Sequence, residues 1–298
     1  MFIKEINELG QFIPMHYHFQ MLSDTTRMDA FCTAIKQVVK PEHRVVELGS
    51  GTGVMSFNAA KQGAKVWAVE YNPTLVAASR KFISDNGLSD RVEIFEGDAS
   101  SWLPPEPADV IICEMLHSAL LREKQVQVIS NFRDAHYARF GKIPQILPNA
   151  TLLAVQPVWQ CYDFNGFYAP IPLFQSAYDA ADNCYTNNEP LVYKIVDYDT
   201  AQVETYNADI LFPANQNNRV NALRFITKSL LSIDLSTGQT IDWHNQHIIL
   251  PLPQSLELRV GQALRVHFSY RPGDSIEALN NSMHVQILDV ASAKLHHL

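Results

Sequence analysis

No two of the four cysteines form a Cys-x-x-Cys pair; Cys32, Cys113, Cys161 and Cys184 are scattered. That scatter argues against a disulfide framework or a zinc site and fits a reducing compartment. Nor is there a run of about 18 apolar residues, so no segment reads as a membrane span. The opening residues, Met1-Phe2-Ile3-Lys4-Glu5-Ile6-Asn7-Glu8, place acids where a signal peptide needs an apolar stretch. Basic side chains are the minority: Lys and Arg number 23 against 31 Asp and Glu, for a net charge of −8. An anionic surface does not attract phosphate backbones, so nucleic acid is disfavoured as a partner. Internal repeats and low-complexity runs are missing as well. The expectation is a soluble cytoplasmic protein with no membrane association.

The 298 residues are 47 % hydrophobic and 18 % charged, an ordinary globular mix long enough for two domains. In the first half, short apolar runs alternate with helical patterns. Arg44–Leu48, Ala64–Glu70, Arg91–Phe95 and Ala108–Cys113 read as strands. Helices are expected from Val54 to Gln62, closed by Gly63, and from Pro73 to about Asn86. This alternation implies an α/β fold with a parallel sheet. Beyond Pro144–Pro148 the segments become short, strand-like and punctuated by turns, as in Ala150–Val155 and Leu264–Tyr270. The division is therefore set at 1–148 and 149–298.

The sharpest local feature is Glu47-Leu48-Gly49-Ser50-Gly51-Thr52-Gly53 between a strand and a helix. Glycines let the chain turn tightly against a ligand. The dinucleotide spacing is not met, because Val54 occupies the place of its third glycine. An acid just before the loop repels pyrophosphate and suits a cationic ligand. Glu70 closes the second strand, where a carboxylate can take both ribose hydroxyls, and Asp98 follows the third. These residues resemble the class I S-adenosylmethionine-dependent methyltransferases. The resemblance implies that the Gly49, Gly51 and Gly53 loop cradles the methionine part of S-adenosylmethionine, with Glu47, Glu70, Tyr71, Asp98 and Ala99 also on the cofactor.

The fourth strand runs into Glu114-Met115-Leu116-His117-Ser118-Ala119-Leu120-Leu121-Arg122-Glu123. Two carboxylates facing each other across a hairpin would match the forked donors of a guanidinium. Taken alone, Glu123 reads more readily as an exposed helix acid paired with Lys124 or Arg122. The segment is similar to the double-Glu hairpin of the protein arginine methyltransferases. His18-Phe19-Gln20-Met21-Leu22-Ser23-Asp24-Thr25-Thr26-Arg27 resembles that family's first motif, and Ile146–Leu152 its entry into a β-barrel. Leu250–Tyr270 resembles a later barrel hairpin. The resemblance implies a Rossmann-like, doubly wound parallel sheet with N-terminal lid helices, followed by an all-β barrel-like domain.

It further implies Glu114 and Glu123 as the catalytic pair, Arg27 on the cofactor carboxylate, and Met21, His117 and Trp243 on the substrate; no metal is called for. The segment Phe12–His18 would fold over the cofactor. Residues 159–187, rich in aromatics, resemble the family's dimerisation arm and imply a homodimer; the alternative is a loop tucked onto its own barrel. The chain departs from the family pattern at Ile241-Asp242-Trp243, which replaces Thr-His-Trp and would set Asp242 against Asp24. His117, Met115, Ser100 and Gln125 also stand where the family has other residues. The implied acceptor is arginine in a basic protein or peptide. Free arginine, another small guanidino compound, RNA, or a non-catalytic cofactor-binding scaffold remain open. His16-x-His18 and His244-x-x-His247 read as structural or strand-surface pairs rather than metal ligands, and Cys113 as a packing residue.

Overall fold

The computed structural model describes residues 13, 15–179 and 183–289. Two helices come first, α1 (Met15–Ser23) and α2 (Thr25–Val38). Asp24 separates them and caps α2, its carboxylate accepting the Arg27 N–H at 2.9 Å. There follow β1 (Arg44–Leu48), α3 (Val54–Lys61), β2 (Lys65–Glu70), α4 (Pro73–Asp85), β3 (Val92–Glu96), β4 (Val110–Cys113), α5 (Gln125–Phe140) and β5 (Gln145–Leu147). The five strands pair in parallel in the order β3-β2-β1-β4-β5. Their near-continuous apolar runs follow from burial on both faces, as in the Val110-Ile111-Ile112-Cys113 run of β4. Strand order reverses between β1 and β4, and in open sheets of this kind the crevice at the carboxyl ends beside that reversal is the ligand site.

The rest of the chain is antiparallel: β6 (Ala150–Gln160), β7 (Asp163–Phe164), β8 (Phe167–Tyr168), β9 (Leu173–Gln175), β10 (Cys184–Tyr185), β11 (Leu191–Asp197), β12 (Tyr206–Pro213), β13 (Asn218–Asp234), β14 (Gln239–His244), β15 (His247–Leu258) and β16 (Gln262–Tyr270), then α6 (Ile276–Ser282) and β17 (His284–Asp289). One sheet runs β10-β6-β13-β15-β9, with β11 added on β6 and β14 on β13. A second runs β12-β16-β17. The two share a core: the Phe225 and Phe268 rings lie 5.1 Å apart, and Tyr193 stands edge-on to Phe268 at 5.0 Å. The apolar core is continuous from this stack into the parallel sheet.

Two expectations are corrected. Leu250–Tyr270 is not a hairpin, because β15 pairs with β13 and β9 whereas β16 pairs with β12 and β17. The turn at Arg259–Gly261 carries the chain from one sheet to the other. Residues 159–187 are not a plain loop either. β10 hydrogen-bonds to β6 and β9 to β15, while β7 and β8 form their own two-stranded ribbon. Within this stretch Tyr162 is buried, whereas Phe164, Phe167 and Tyr168 on the ribbon are exposed.

Candidate active site

A cavity of about 310 Å³ opens at the carboxyl ends of β1, β2 and β4 and is roofed by α1 and the start of α2. It lies within the size range of small-molecule sites. Met21, Arg27, Glu47, Gly49, Gly51, Glu70, Tyr71, Asp98, Ala99, Glu114 and Glu123 all line it.

Gly51 sits at φ +53°, and a Cβ there would lie 2.9 Å from Cε1 of His18, so only glycine lets the loop and α1 close on each other. Gly53 lies just behind the lining, capping α3 in the left-handed region. The Glu70 carboxylate accepts the N–H of Gly51 and of Asn72, each at 2.8 Å, tying the loop to the start of α4. Asp98 accepts the Ser100 N–H at 2.8 Å, forming a tight turn that brings Ala99 and Ser100 to the rim.

Glu47 behaves differently from the expectation of a carboxylate aimed at a cationic ligand. It is buried, and one of its oxygens accepts both the backbone N–H (2.8 Å) and the hydroxyl of Ser56. Ser56 is the third residue of α3, and Gly53 has no side chain to cap that helix. Glu47 thus supplies the missing cap from the neighbouring strand. Burial pushes its carboxyl up to about 7, against the Ser56 bonds.

Arg27 and Glu114 form an ion pair at the cavity wall, with the other Arg27 terminal nitrogen donating to the Met21 carbonyl at 3.0 Å. Burial opposes the Arg27 charge, but the acids around it, Glu114 foremost with Asp24 and Glu123, together more than offset it and hold the guanidinium ionised. Among the described residues Glu123 has no such ion-pair partner. Withdrawal from water, reinforced by the Glu114 charge, pushes its carboxyl up to about 8.

The hairpin between the two glutamates is backbone-strained, with Ala119, Leu120 and Arg122 all at positive φ. The antiparallel sheets hold it in that shape. Thr227 Oγ1 accepts the Ala119 N–H (2.6 Å), and the Tyr270 hydroxyl donates to the Ala119 carbonyl (2.8 Å). Ser118 Oγ donates to the Gln246 carbonyl (2.5 Å), and Asn245 Nδ2 to the Leu116 carbonyl (2.7 Å).

Two residues expected on the substrate are not among the lining side chains. Trp243 is buried against Phe31, ring centroids 6.1 Å apart, and packs the core. His117 turns toward Phe174 at 5.6 Å and the Ser118 carbonyl, and burial lowers its pKa to about 4. The feared clash of Asp242 with Asp24 is relieved, since Asp242 pairs with Lys228 at 3.1 Å. His247 is half-buried: its Nδ1 is withdrawn from water with no hydrogen-bond partner among the described residues, and burial lowers its pKa to about 4. Cys113 is fully buried, as expected of a packing residue. Among the described residues no group of three or more His, Cys, Asp or Glu could hold a metal ion, and no helix is long and apolar enough to cross a membrane.

Sequence pattern gives His18 as part of the lid and of a structural pair with His16, not as a site residue of its own, yet it lines the cavity. Its Nε2 is buried beside the glycine loop with no hydrogen-bond partner among the described residues. The available signal was helical spacing, since His18, Met21 and Leu22 share one face of α1 and all line the cavity. Of the expected lid, Ile13 and His18 line the cavity, while Phe12 lies outside the described residues.

The match to known proteins follows this geometry. Residues 45–136 match a family model described as a methyltransferase domain. The chain is 28 % identical to an uncharacterized protein of Methanocaldococcus jannaschii over 88 % of this chain and 95 % of that one. It is 26 % identical to protein arginine N-methyltransferase 1 of Caenorhabditis elegans over 92 % and 87 %. Residues 45–136 thus form a methyltransferase domain, and over most of its length the chain is similar to a protein arginine methyltransferase. The two-sheet-system fold of this methyltransferase is shared by the Trypanosoma brucei PRMT1 enzyme–prozyme heterotetrameric complex with AdoHcy. That likeness has a TM-score of 0.67 at 18 % identity and covers 91 % of this chain and 97 % of that one. S-adenosylmethionine is the cofactor. The cavity suits it: a glycine loop closed by His18, a buried imidazole nitrogen with no hydrogen-bond partner among the described residues, and acids at the ends of successive strands.

Proposed function

We propose that this methyltransferase methylates a guanidino nitrogen of arginine in a basic protein or peptide, with Glu114 and Glu123 as the catalytic pair. The observation that carries this reading is that both carboxylate side chains line the same cavity as the glycine loop and Glu70. S-adenosylmethionine supplies a methyl group already activated by its sulfonium. What the chain must add is position and electrostatics. The two carboxylates face the forked donors of a guanidinium and localise its positive charge on the far nitrogens, leaving the attacking nitrogen richer in electrons. Glu123, protonated at neutral pH by its surroundings, gives up its proton as the cation arrives. Arg27, Glu47, Gly49, Gly51, Gly53, Glu70, Tyr71, Asp98 and Ala99 hold the cofactor, Glu47 by fixing α3, and Met21 lies beside the acceptor. The net charge of −8 favours basic acceptors over nucleic acid.

The chain is further proposed to divide into a cofactor domain to residue 148 and a substrate domain from 149, to work in the cytoplasm, and to pair as a homodimer through the 159–187 arm. Free thiols at all four cysteines support the compartment, and the exposed Phe164, Phe167 and Tyr168 support the arm. Light scattering that found only monomer at working concentration would remove the arm.

The main test supplies labelled S-adenosylmethionine with, separately, an arginine-rich peptide, free arginine and RNA, followed by mass spectrometry. Methylarginine in the peptide is expected, abolished by Glu114→Gln. Label confined to free arginine or RNA, or a native rate in Glu114→Gln, overturns the proposal; binding of cofactor without transfer to any acceptor leaves the scaffold alternative.

A further inference from the structure

We propose that Gln125 is a positioning residue that aims Glu114 and sets its distance from Glu123. Glu114 stands one residue past the end of β4, where the sheet no longer pairs the backbone. Gln125, the first residue of α5, is buried and takes over that task. Its Nε2 donates to the Cys113 carbonyl at 2.7 Å, and its Oε1 accepts the Met115 N–H at 2.8 Å. The carboxamide therefore bridges the residues on either side of Glu114, as a neighbouring strand would. The Cys113 thiol adds a third contact to Oε1 at 3.3 Å, and the Tyr198 hydroxyl backs the same amide.

Only a side chain with a donor and an acceptor at this reach can make both bonds. Methionine makes neither and glutamate lacks the donor at neutral pH. Because Gln125 follows Glu123 by two residues, one helix end references both carboxylates. Met115, whose N–H is held, also packs its Sδ toward Gly49, so the amide couples the hairpin to the glycine loop. Loosening it would leave the composition of the cavity intact and degrade its aim, the kind of small misplacement that costs rate more than binding.

The inference rests on the guanidinium reading for the purpose of Glu114, and its test separates the two. Gln125→Met and Gln125→Glu are compared with the native protein by cofactor calorimetry, by kcat and KM on an arginine-rich peptide, and by hydrogen exchange at the Met115 amide. Expected in Gln125→Met is a cofactor Kd within about twofold of native, with kcat lowered about 10–100-fold and the Met115 amide exchanging at least about tenfold faster. Gln125→Glu, which keeps the acceptor, falls between, and it carries the comparison if the methionine variant does not fold. Unchanged protection at Met115, or a native kcat, overturns the assignment. If native protein turns over no arginine peptide, the guanidinium reading fails, while loss of Met115 protection still supports the positioning role.

Discussion

Arg27 on α2 and Glu114 at the end of β4 are 87 positions apart in sequence and form an ion pair inside the cavity. Each is largely withdrawn from water, so neither charge is adequately solvated without the other. Arg27→Ala is expected to cost about 3 kcal/mol of stability by leaving Glu114 without its countercharge. The measurement is urea unfolding near neutral pH. Arg27→Ala combined with Glu114→Gln should recover much of that loss, and a double variant no more stable than Arg27→Ala alone would count against the pair as the cause.

The raised Glu123 carboxyl makes stability pH-dependent. Its folded value, about 8, lies above that of an ordinary glutamate, so the folded chain binds more protons than the unfolded chain between the two values. Stability from this group is complete below the unfolded value and is lost as pH rises toward about 8. Glu47, pushed up to about 7, works in the same direction over a narrower window. Denaturation at a series of pH values should show a decline between about 5 and 8, and Glu123→Gln should flatten its upper part.

The same group shapes turnover. With Glu123 protonated in the free enzyme, kcat/KM for an arginine-rich peptide should climb as pH passes about 8 and then level off. A profile flat from about pH 6 to 10 would show that Glu123 is already ionised before the acceptor binds.

Ser56→Ala removes the hydroxyl from Glu47 and leaves the backbone N–H bond in place. The expected loss is about 1–2 kcal/mol, with weaker cofactor binding by calorimetry because the start of α3 adjoins the glycine loop. Thr227→Val, at a distance from the cofactor loop, strands the buried Ala119 N–H and should cost about 1–3 kcal/mol together with a lower kcat, as the strained hairpin relaxes.

Trp243 separates packing from acceptor contact. Trp243→Ala should destabilise by about 3–5 kcal/mol through the void left against Phe31. KM for the peptide, measured below the melting range of the variant, should stay near native.

Much of the site was legible in the sequence because its determinants are local. The glycine loop, Glu70 and Asp98 follow successive strands, and parallel strands deliver whatever follows their carboxyl ends to one edge. Apolar runs and turn signals were enough to separate the α/β half from the antiparallel half. What sequence pattern could not supply were relationships between distant segments. Glu47 capping α3, Arg27 closing on Glu114, Trp243 turning into the core, and β15 and β16 parting into different sheets all depend on where other elements lie. The partners of the hairpin, Thr227 and Tyr270 on strands and Asn245 and Gln246 in the turn between β14 and β15, lie more than a hundred residues away. Local chemistry thus determined which acids reach the crevice. Tertiary packing decided which of them are paired, which are protonated and which way they point, because those properties depend on burial and on the nearest charge, and neither is a property of a residue's place in the chain.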